Sequence, residues 1–134
     1  MAGIRRKARI TALQSLFEID CAGHVARSTL DHLIEENKLT EDAASFAREL
    51  VFGVLQNKEA LDIVIVKYAP NWPLDQMALI DRNILRLAIF EISIAKNVPL
   101  KAAINEAVEL AKLFGSENSS KFINGVLGSV SISG

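Results

Sequence analysis

The chain of 134 residues is long enough for one compact domain with a hydrophobic core. Half of its residues are hydrophobic and 23% are charged, a composition that excludes a disordered or fibrous protein. Fifteen basic and sixteen acidic residues give a net charge of −1, which excludes a protein that coats nucleic acid through bulk charge. Any nucleic-acid site must therefore be local.

Secretion and membrane insertion are not indicated by the sequence. The single Cys21 cannot form an internal disulfide, and no hydrophobic stretch of signal-peptide type follows the basic N-terminus. The most hydrophobic window, residues 84–95, contains Arg86 and Glu91 and is too short and too charged to span a bilayer. We therefore expect a soluble protein of the reducing cytoplasm, with no membrane contact.

Hydrophobic residues spaced three and four apart predict an all-α fold of about seven helices. The first helix is expected over about 5–20 and should end by Gly23. The second should cover about 28–37, and a third should begin behind Thr40, whose side chain is a suitable N-cap. A fourth helix should end before Pro70, because a residue that precedes proline is pushed out of the α region.

Three further helices are expected in the second half of the chain. Residues 77–96 are hydrophobic nearly all round, which is typical of a central helix. The sixth helix should begin with Pro99 as its first helical residue and end at Gly115 in a left-handed cap. The last helix should cover about 119–130. These elements complete an all-helical prediction.

The prolines of the segment Pro70–Pro73 make the strongest break in this pattern. We expect a single domain, residues 1–134, with the seam between its two helical halves at these prolines. The N-terminal half should cover about 1–70 and the C-terminal half about 74–134. Trp72 either covers the seam between them or, if it is exposed, anchors a partner.

A basic cluster at the start of the first helix is the strongest candidate for binding chemistry. Arg5, Arg6, Lys7 and Arg9 are four of the fifteen basic residues, and the helix dipole disfavours cations at this end. Arg6 would also lie in line with the hydrophobic stripe, unless the first turn extends beyond the bundle. Such a turn could bind phosphates, whereas the alternative is an ordinary solvated N-terminus.

Catalytic and metal-binding interpretations find little support in the sequence. Cys21, His24 and His32 lack a fourth ligand and a recognisable spacing, so no metal is expected. The chain also has no recognisable nucleophile motif and no glycine-rich phosphate loop. We therefore expect neither an enzyme activity nor a cofactor.

The charged residues of the predicted central helix leave two interpretations open. Asp81, Arg82, Arg86 and Glu91 lie among hydrophobic residues. Charges on a largely buried helix must be paired or must reach an edge of the fold. These four residues therefore either form internal ion pairs or face a partner.

Four blocks of sequence carry a family resemblance and cover the chain nearly from end to end. They are the basic opening with its continuation to Phe17, residues 80–92, residues 98–115 (VPLKAAINEAVELAKLFG) and residues 120–127. On these blocks the chain resembles the NusB family of transcription antitermination factors. The run 98–115 is the most specific block, and the resemblance implies an all-helical fold of two small bundles.

The resemblance also implies an RNA-binding function without a reaction or a cofactor. NusB-like proteins pair with NusE, a ribosomal protein of the small subunit, and the pair binds the boxA element of nascent single-stranded RNA. With other Nus factors, this complex acts on RNA polymerase and suppresses premature termination, chiefly on ribosomal RNA operons. A homodimer of the free protein is compatible with the resemblance.

Carried over position by position, the resemblance implies two RNA-facing edges and one partner surface. The RNA-facing residues are Arg5, Arg6, Lys7, Arg9 and Phe17 in the first helix and Asn118, Ser119, Lys121 and Phe122 after Gly115. The residues for the NusE-like partner are Asp75, Asp81 and Arg82. Phe17 stands where the family often has Tyr, so we expect stacking without a hydroxyl contact. Asn118 stands where relatives often carry an acid, and its neutral side chain should favour RNA binding.

Two other functions remain compatible with the sequence. One is a helical accessory domain of the kind that precedes the catalytic part of an RNA cytosine methyltransferase; the chain would then be a fragment, since 134 residues leave no room for that part. The other is a protein-interaction module without an RNA site. A titration with RNA at increasing salt separates the last from an RNA-binding factor.

Overall fold

The computed structural model describes residues 2–23 and 25–133, with side chains described over 3–23 and 25–130. This part of the chain is all-α, as predicted, and contains seven α-helices and no strand. The helices are α1 (Ala2–Ala22), α2 (Ala26–Glu36), α3 (Glu41–Gln56), α4 (Lys58–Tyr68), α5 (Leu79–Ile89), α6 (Leu100–Phe114) and α7 (Ser119–Ser133). None of them, over the described residues, is both long and hydrophobic enough to cross a membrane.

The chain divides into two compact units, Met1–Gln56 and Asn57–Gly134. This division falls between α3 and α4, earlier than the break at Pro70–Pro73 on which the sequence boundary was placed. The reason is that α4 packs against α5 and α7 of the second unit. The prolines end α4, as predicted, but a helix end does not determine which neighbours the helix packs against.

In the first unit, α1 packs against both α2 and α3. The hydrophobic spacing on α1 predicts one buried stripe of Ile10, Leu13, Leu16 and Phe17, which is only partly correct. Leu13 and Leu16 are buried, whereas Ile10 and Phe17 are half-buried. Small residues complete the buried face instead, namely Ala8, Thr11, Ala12 and Ser15. Small side chains allow neighbouring backbones to approach closely, and a pattern search weighted toward large hydrophobic residues passes over them.

The caps of the first unit follow the sequence prediction. Gly23 ends α1 in the left-handed region, with φ of 69°, and its N–H donates to the carbonyl oxygen of Ile19 at 3.0 Å. At the start of α3, the backbone N–H of Ala43 donates to the Thr40 hydroxyl at 3.2 Å, which confirms the predicted N-cap.

Helix α5 is the centre of the second unit and packs against α4, α6 and α7. Ile84, Leu85 and Ile89 are fully buried, as expected of a central helix. The prediction of one uninterrupted helix over 77–96 is wrong at its end, because α5 continues as a π-helical segment, Phe90–Ala95. The i→i+5 spacing of a π turn leaves no signature in the hydrophobic period.

Pro99 and Gly115 lie at the two ends of α6, as predicted, but each has a different role from the predicted one. Pro99 is the N-cap, with φ of −59° and ψ of 143°, and the first helical residue is Leu100. Gly115 is extended, with φ of −89° and ψ of −175°, so the predicted left-handed cap is wrong. No side chain fits at residue 115, because a Cβ there would lie 2.5 Å from the Cβ and Oγ of Ser119.

Candidate nucleic-acid interface

The basic cluster lies at the N-terminal end of α1, and its members fall into two groups. Arg5, Arg6 and Lys7 are exposed, as an overhanging first turn requires. Arg9 is only 5% exposed, so the expectation that all four cations extend beyond the core is wrong for this residue. The exposed part of the cluster is therefore Arg5, Arg6 and Lys7, which we call the basic tip.

The reason for the burial of Arg9 is an aromatic ring on α3. The guanidinium of Arg9 lies over Phe46, 5.3 Å from the ring centroid, and that of Arg5 lies over the same ring at 4.8 Å. A cation over an aromatic face contributes about 0.5–2 kcal/mol, most where water is excluded. Arg6 also interacts within the protein, and Arg9 makes a second interaction besides the one with Phe46. The sequence pattern gave no sign of this contact, because Phe46 and the basic cluster belong to different helices.

Phe17 shares a face of α1 with Arg6 of the basic tip. It lies eleven residues after Arg6, which is close to three helical turns, so the two side chains leave the helix in nearly the same direction about 16 Å apart. The ring is half-buried and keeps part of its surface in solvent. The face of α1 that carries Phe17 thus presents Arg6 at its N-terminal end, while Arg5 and Lys7 leave the helix about 100° to either side.

In the second unit, the residues predicted as the second RNA edge lie around the turn from α6 to α7. Asn118 and Lys121 are exposed and Phe122 is half-buried, but Ser119 is buried. The Ser119 hydroxyl accepts a hydrogen bond from the backbone N–H of Ser116 at 2.9 Å. Ser119 therefore holds the turn, whereas its neighbours face solvent.

The aromatic ring of Phe122 lines a pocket of about 230 Å³ on the same unit. Trp72 meets Phe122 edge to face, with ring centroids 5.7 Å apart, and remains 59% exposed. Of the two roles predicted for Trp72, this exposure favours that of an anchor. Asn118 and Ser119 also line the pocket, which brings the predicted RNA edge and an exposed tryptophan together.

Asp81, one of the three residues predicted to meet the partner, lies in the wall of this pocket. It occupies the first turn of α5 and is 9% exposed, and its Oδ1 atom is buried without a hydrogen-bond partner among the described residues. Asp75 is exposed in the 3₁₀ turn Leu74–Gln76. Arg82 donates from Nη1 to the carbonyl oxygen of Leu74 at 3.0 Å and so ties that turn to α5. The Asp81 carboxylate is therefore the group with hydrogen-bonding capacity to offer.

The other two charged residues of the predicted central helix, Arg86 and Glu91, interact within the protein. Arg86 is 4% exposed and forms a two-pronged ion pair with Asp62 of α4, from Nε to Oδ1 at 2.7 Å and from Nη2 to Oδ2 at 3.0 Å. It also donates to Oδ1 of Asn83 at 3.2 Å. Glu91 is buried at 2% exposure and interacts within the protein. Of the two interpretations left open, internal pairing applies to Arg86, with an acid that sequence reasoning had not identified.

No group of three or more metal-ligating side chains forms among residues 3–23 and 25–130. Cys21 is exposed, and His32 contacts Glu36 at 3.0 Å on the surface of α2. His24, the third member of the set considered from the sequence, lies outside the described residues.

The fold and these surfaces place the chain in the class of small all-α proteins that carry a basic helix N-terminus. Within that class, the chain belongs to the NusB family, whose family model matches residues 6–131.

Two curated relatives are similar over almost the whole chain. A transcription antitermination protein NusB of Dehalococcoides mccartyi (strain CBDB1) is 53% identical over 131 residues, which are 98% of this chain and 92% of that protein. A transcription antitermination protein NusB of Chloroflexus aggregans (strain MD-66 / DSM 9485) is 47% identical over 132 residues, 97% of this chain and 88% of that protein.

Among solved structures, the chain is similar to one in a crystal structure of antitermination factors NusB and NusE in complex with dsRNA. The two folds superpose with a TM-score of 0.91 at 28% sequence identity, and the match covers 100% of each chain. These likenesses agree with the resemblance drawn from the four sequence blocks and confirm the family.

Proposed function

We propose that this protein is a transcription antitermination factor that binds boxA-type single-stranded RNA together with a NusE-like ribosomal protein. The observation that carries the proposal is the basic tip. Three exposed cations stand together at a helix end that disfavours them, in a chain whose net charge is −1. Relatives named as antitermination proteins support the antitermination function, and a similar structure of NusB and NusE in complex with dsRNA supports a protein partner and an RNA ligand.

Phosphates account for the basic tip better than solvent does. The first turn of a helix exposes N–H groups with partial positive charge, and Arg5, Arg6 and Lys7 add three full charges beside them. An RNA backbone supplies negative charges beside this turn, and Lys7 together with the solvent-exposed parts of Arg5 and Arg6 can contact them. Phe17 offers a ring on the face that carries Arg6 for a base to stack on, a combination common in proteins that bind single strands.

Around the α6–α7 turn, Asn118, Lys121 and Phe122 supply an amide, a cation and a ring to RNA. Lys121 provides a phosphate contact, and the amide of Asn118 can donate to or accept from a base edge. In this proposal Ser119 does not contact RNA through its hydroxyl, which the turn occupies. Ser119 instead positions the residues beside it.

The NusE-like partner binds at the pocket that contains Asp81. A carboxylate oxygen buried without a hydrogen-bond donor costs free energy, and a cationic or N–H donor from a partner would remove that cost. Asp75 adds an exposed negative charge in the preceding turn. Trp72 provides a large exposed ring of the kind that anchors protein interfaces.

The protein acts in the cytoplasm as a binding factor and not as an enzyme, without a cofactor, and it reaches RNA polymerase through other Nus factors. The test is a titration of the full chain with a boxA-type RNA and with a scrambled RNA of equal length, with and without the NusE-like protein. We expect tighter binding of the boxA-type RNA and a further gain when the partner is present. If neither RNA binds at any salt concentration while the NusE-like protein still binds, the chain is instead a protein-interaction module.

A further inference from the structure

A second cleft lies in the first unit, next to the basic tip, and no role has been assigned to it so far. Its volume is about 380 Å³. Gly3, Ile4 and Lys7 of α1 form one side, and Lys38, Leu39, Thr40 and Ala43 form the other. Lys7 therefore belongs both to the basic tip and to this cleft, so the cleft continues the cationic surface of α1 toward the turn between α2 and α3.

The turn that carries Lys38 has the hydrogen-bond pattern of a helix end that usually contains glycine. The N–H of Lys38 donates to the carbonyl oxygen of Glu35, and that of Leu39 donates to the carbonyl oxygen of Ile34, both at 3.1 Å. Lys38 has a φ of 54°, in the left-handed region. Glycine adopts this conformation without steric cost, whereas a lysine does not. A long cationic side chain is thus held at a position that the backbone would leave to glycine.

Hydrogen bonds from Asn37 fix this turn to α1. Its side-chain Nδ2 donates to the hydroxyl of Thr11 at 2.8 Å and to Oε1 of Gln14 at 2.9 Å. The backbone of the adjacent Lys38 is therefore held in a set position relative to the helix that carries Lys7. Because the backbone that carries Lys38 is already ordered, only the lysine side chains lose conformational entropy when a ligand binds.

Acidic residues lie beside the cleft but not in its lining, since Glu41 and Asp42 of the first turn of α3 stand between the lining residues Thr40 and Ala43. No acidic residue is among its described lining, and neither the Lys7 nor the Lys38 ammonium forms a hydrogen bond or ion pair with any side chain that the structure describes. The lining also includes the hydrophobic side chains of Ile4, Leu39 and Ala43. A lining of two lysines and three hydrophobic side chains matches the chemistry of a nucleotide, which has a phosphate and a flat apolar base face.

We propose that this cleft is an additional nucleotide subsite for the RNA, in which Lys38 and Lys7 bind a phosphodiester and Ile4 and Leu39 contact the ribose or base. The subsite rests on the proposed RNA-binding function and extends it, because it places a contact on the α2–α3 turn. RNA bound at the basic tip then continues into the cleft. Lys38 is a residue that neither the sequence pattern nor the resemblance identified.

Two lysines in left-handed backbone conformations provide a matched test. Lys38→Gly and Lys96→Gly each remove one exposed charge from a residue with φ near 50°, since Lys96 has a φ of 52°. Glycine relieves the backbone cost in both variants, so both should fold and melt at or above the temperature of the parent. Any loss of RNA binding in Lys38→Gly alone then comes from the side chain and not from unfolding.

RNA binding of both variants is measured on the full chain between 50 and 400 mM salt. Loss of one phosphate contact to a single strand should make the slope of log K against log salt less negative by about 0.7, and binding at 0.1 M salt about fivefold weaker. We expect this for Lys38→Gly, parent-like binding for Lys96→Gly, and a parent-like slope for Lys38→Arg. Parent-like affinity and slope in Lys38→Gly, with Arg5→Ala and Arg6→Ala still weakened, overturns the subsite alone. If the parent binds no RNA, both the subsite and the proposed function are overturned.

Discussion

Cations at the tip of α1 and in the last turn of α5 have opposite surroundings. Arg86 is buried and held by both carboxylate oxygens of Asp62, at 2.7 and 3.0 Å. Arg5, Arg6 and Lys7 are exposed at the end of a helix whose dipole opposes them. A buried charge must be neutralised by the fold itself, whereas an exposed cluster can be left for a ligand to neutralise. This difference separates a charge that holds the fold together from the charges that we propose bind RNA.

The largest effect should come from breaking the internal pair. Asp62→Ala leaves the Arg86 guanidinium buried without its carboxylate, and we expect the free energy of unfolding to fall by about 3 kcal/mol. Urea denaturation measures this loss.

The surface pair between Arg48 and Asp31 supplies the matched control. Its atoms are 3.6 Å apart and both side chains are at least half exposed, so Asp31→Ala should cost at most about 1 kcal/mol. Equal losses in Asp31→Ala and Asp62→Ala would show that burial does not distinguish the two pairs.

Removal of the basic tip should have the next largest effect, on binding and not on folding. In the triple variant Arg5→Ala, Arg6→Ala, Lys7→Ala, we expect RNA affinity at 0.1 M salt to fall about a hundredfold, from the loss of three phosphate contacts to a single strand. Fluorescence anisotropy with labelled RNA measures the affinity.

Arg27→Ala is the control for the triple variant, because Arg27 is another exposed cation of the first unit. It should bind RNA like the parent. A comparable loss in Arg27→Ala would mean that overall charge, and not the tip, governs binding.

Arg9 and Lys7 belong to the same basic cluster in the sequence, but Arg9 is buried in the structure and Lys7 is exposed. Arg9→Ala removes a buried stem and a guanidinium over Phe46, so we expect a loss of about 1–2 kcal/mol in the free energy of unfolding. The exposed Lys7→Ala should change stability by less than about 0.5 kcal/mol. Thermal melting of both proteins makes the comparison, and a stability loss for Lys7→Ala as large as that for Arg9→Ala would contradict the division of the cluster.

The smallest effect concerns Asn118 in the α6–α7 turn. Asn118→Asp places a negative charge beside the RNA, and at about 6 Å in water the repulsion weakens binding about threefold. Asn105→Asp makes the same chemical change at an exposed position of α6 and should leave RNA affinity unchanged. Tighter RNA binding by Asn118→Asp than by the parent would remove Asn118 from the RNA surface.

Helices and several of their ends could be predicted from the sequence, since they depend on local signals. The hydrophobic spacing predicted the all-α fold, and Gly23 and Thr40 end and begin helices as expected. The left-handed cap predicted for Gly115 was wrong. Glycine is needed there because a side chain would collide with Ser119, which lies four residues further on in the next helix. A close approach of this kind has no signature in the pattern of residue types.

The candidate site was predictable where it depends on exposure at a helix end and not where it depends on tertiary neighbours. The basic tip follows from residue type and helix position. The burial of Arg9 depends on Phe46, which comes from a different helix, and the pairing of Arg86 depends on Asp62, 24 residues earlier. Sequence periodicity identifies which residues face inward, but the partner that each one meets is set by packing.

The salt dependence of RNA binding tests the central claim most directly. Log K for a boxA-type RNA should be measured against log salt for the parent and for the variant without the basic tip. Three phosphate contacts predict that the two slopes differ by about 2. Parallel lines would contradict the account, because the cations of α1 would then release no counterions when RNA binds.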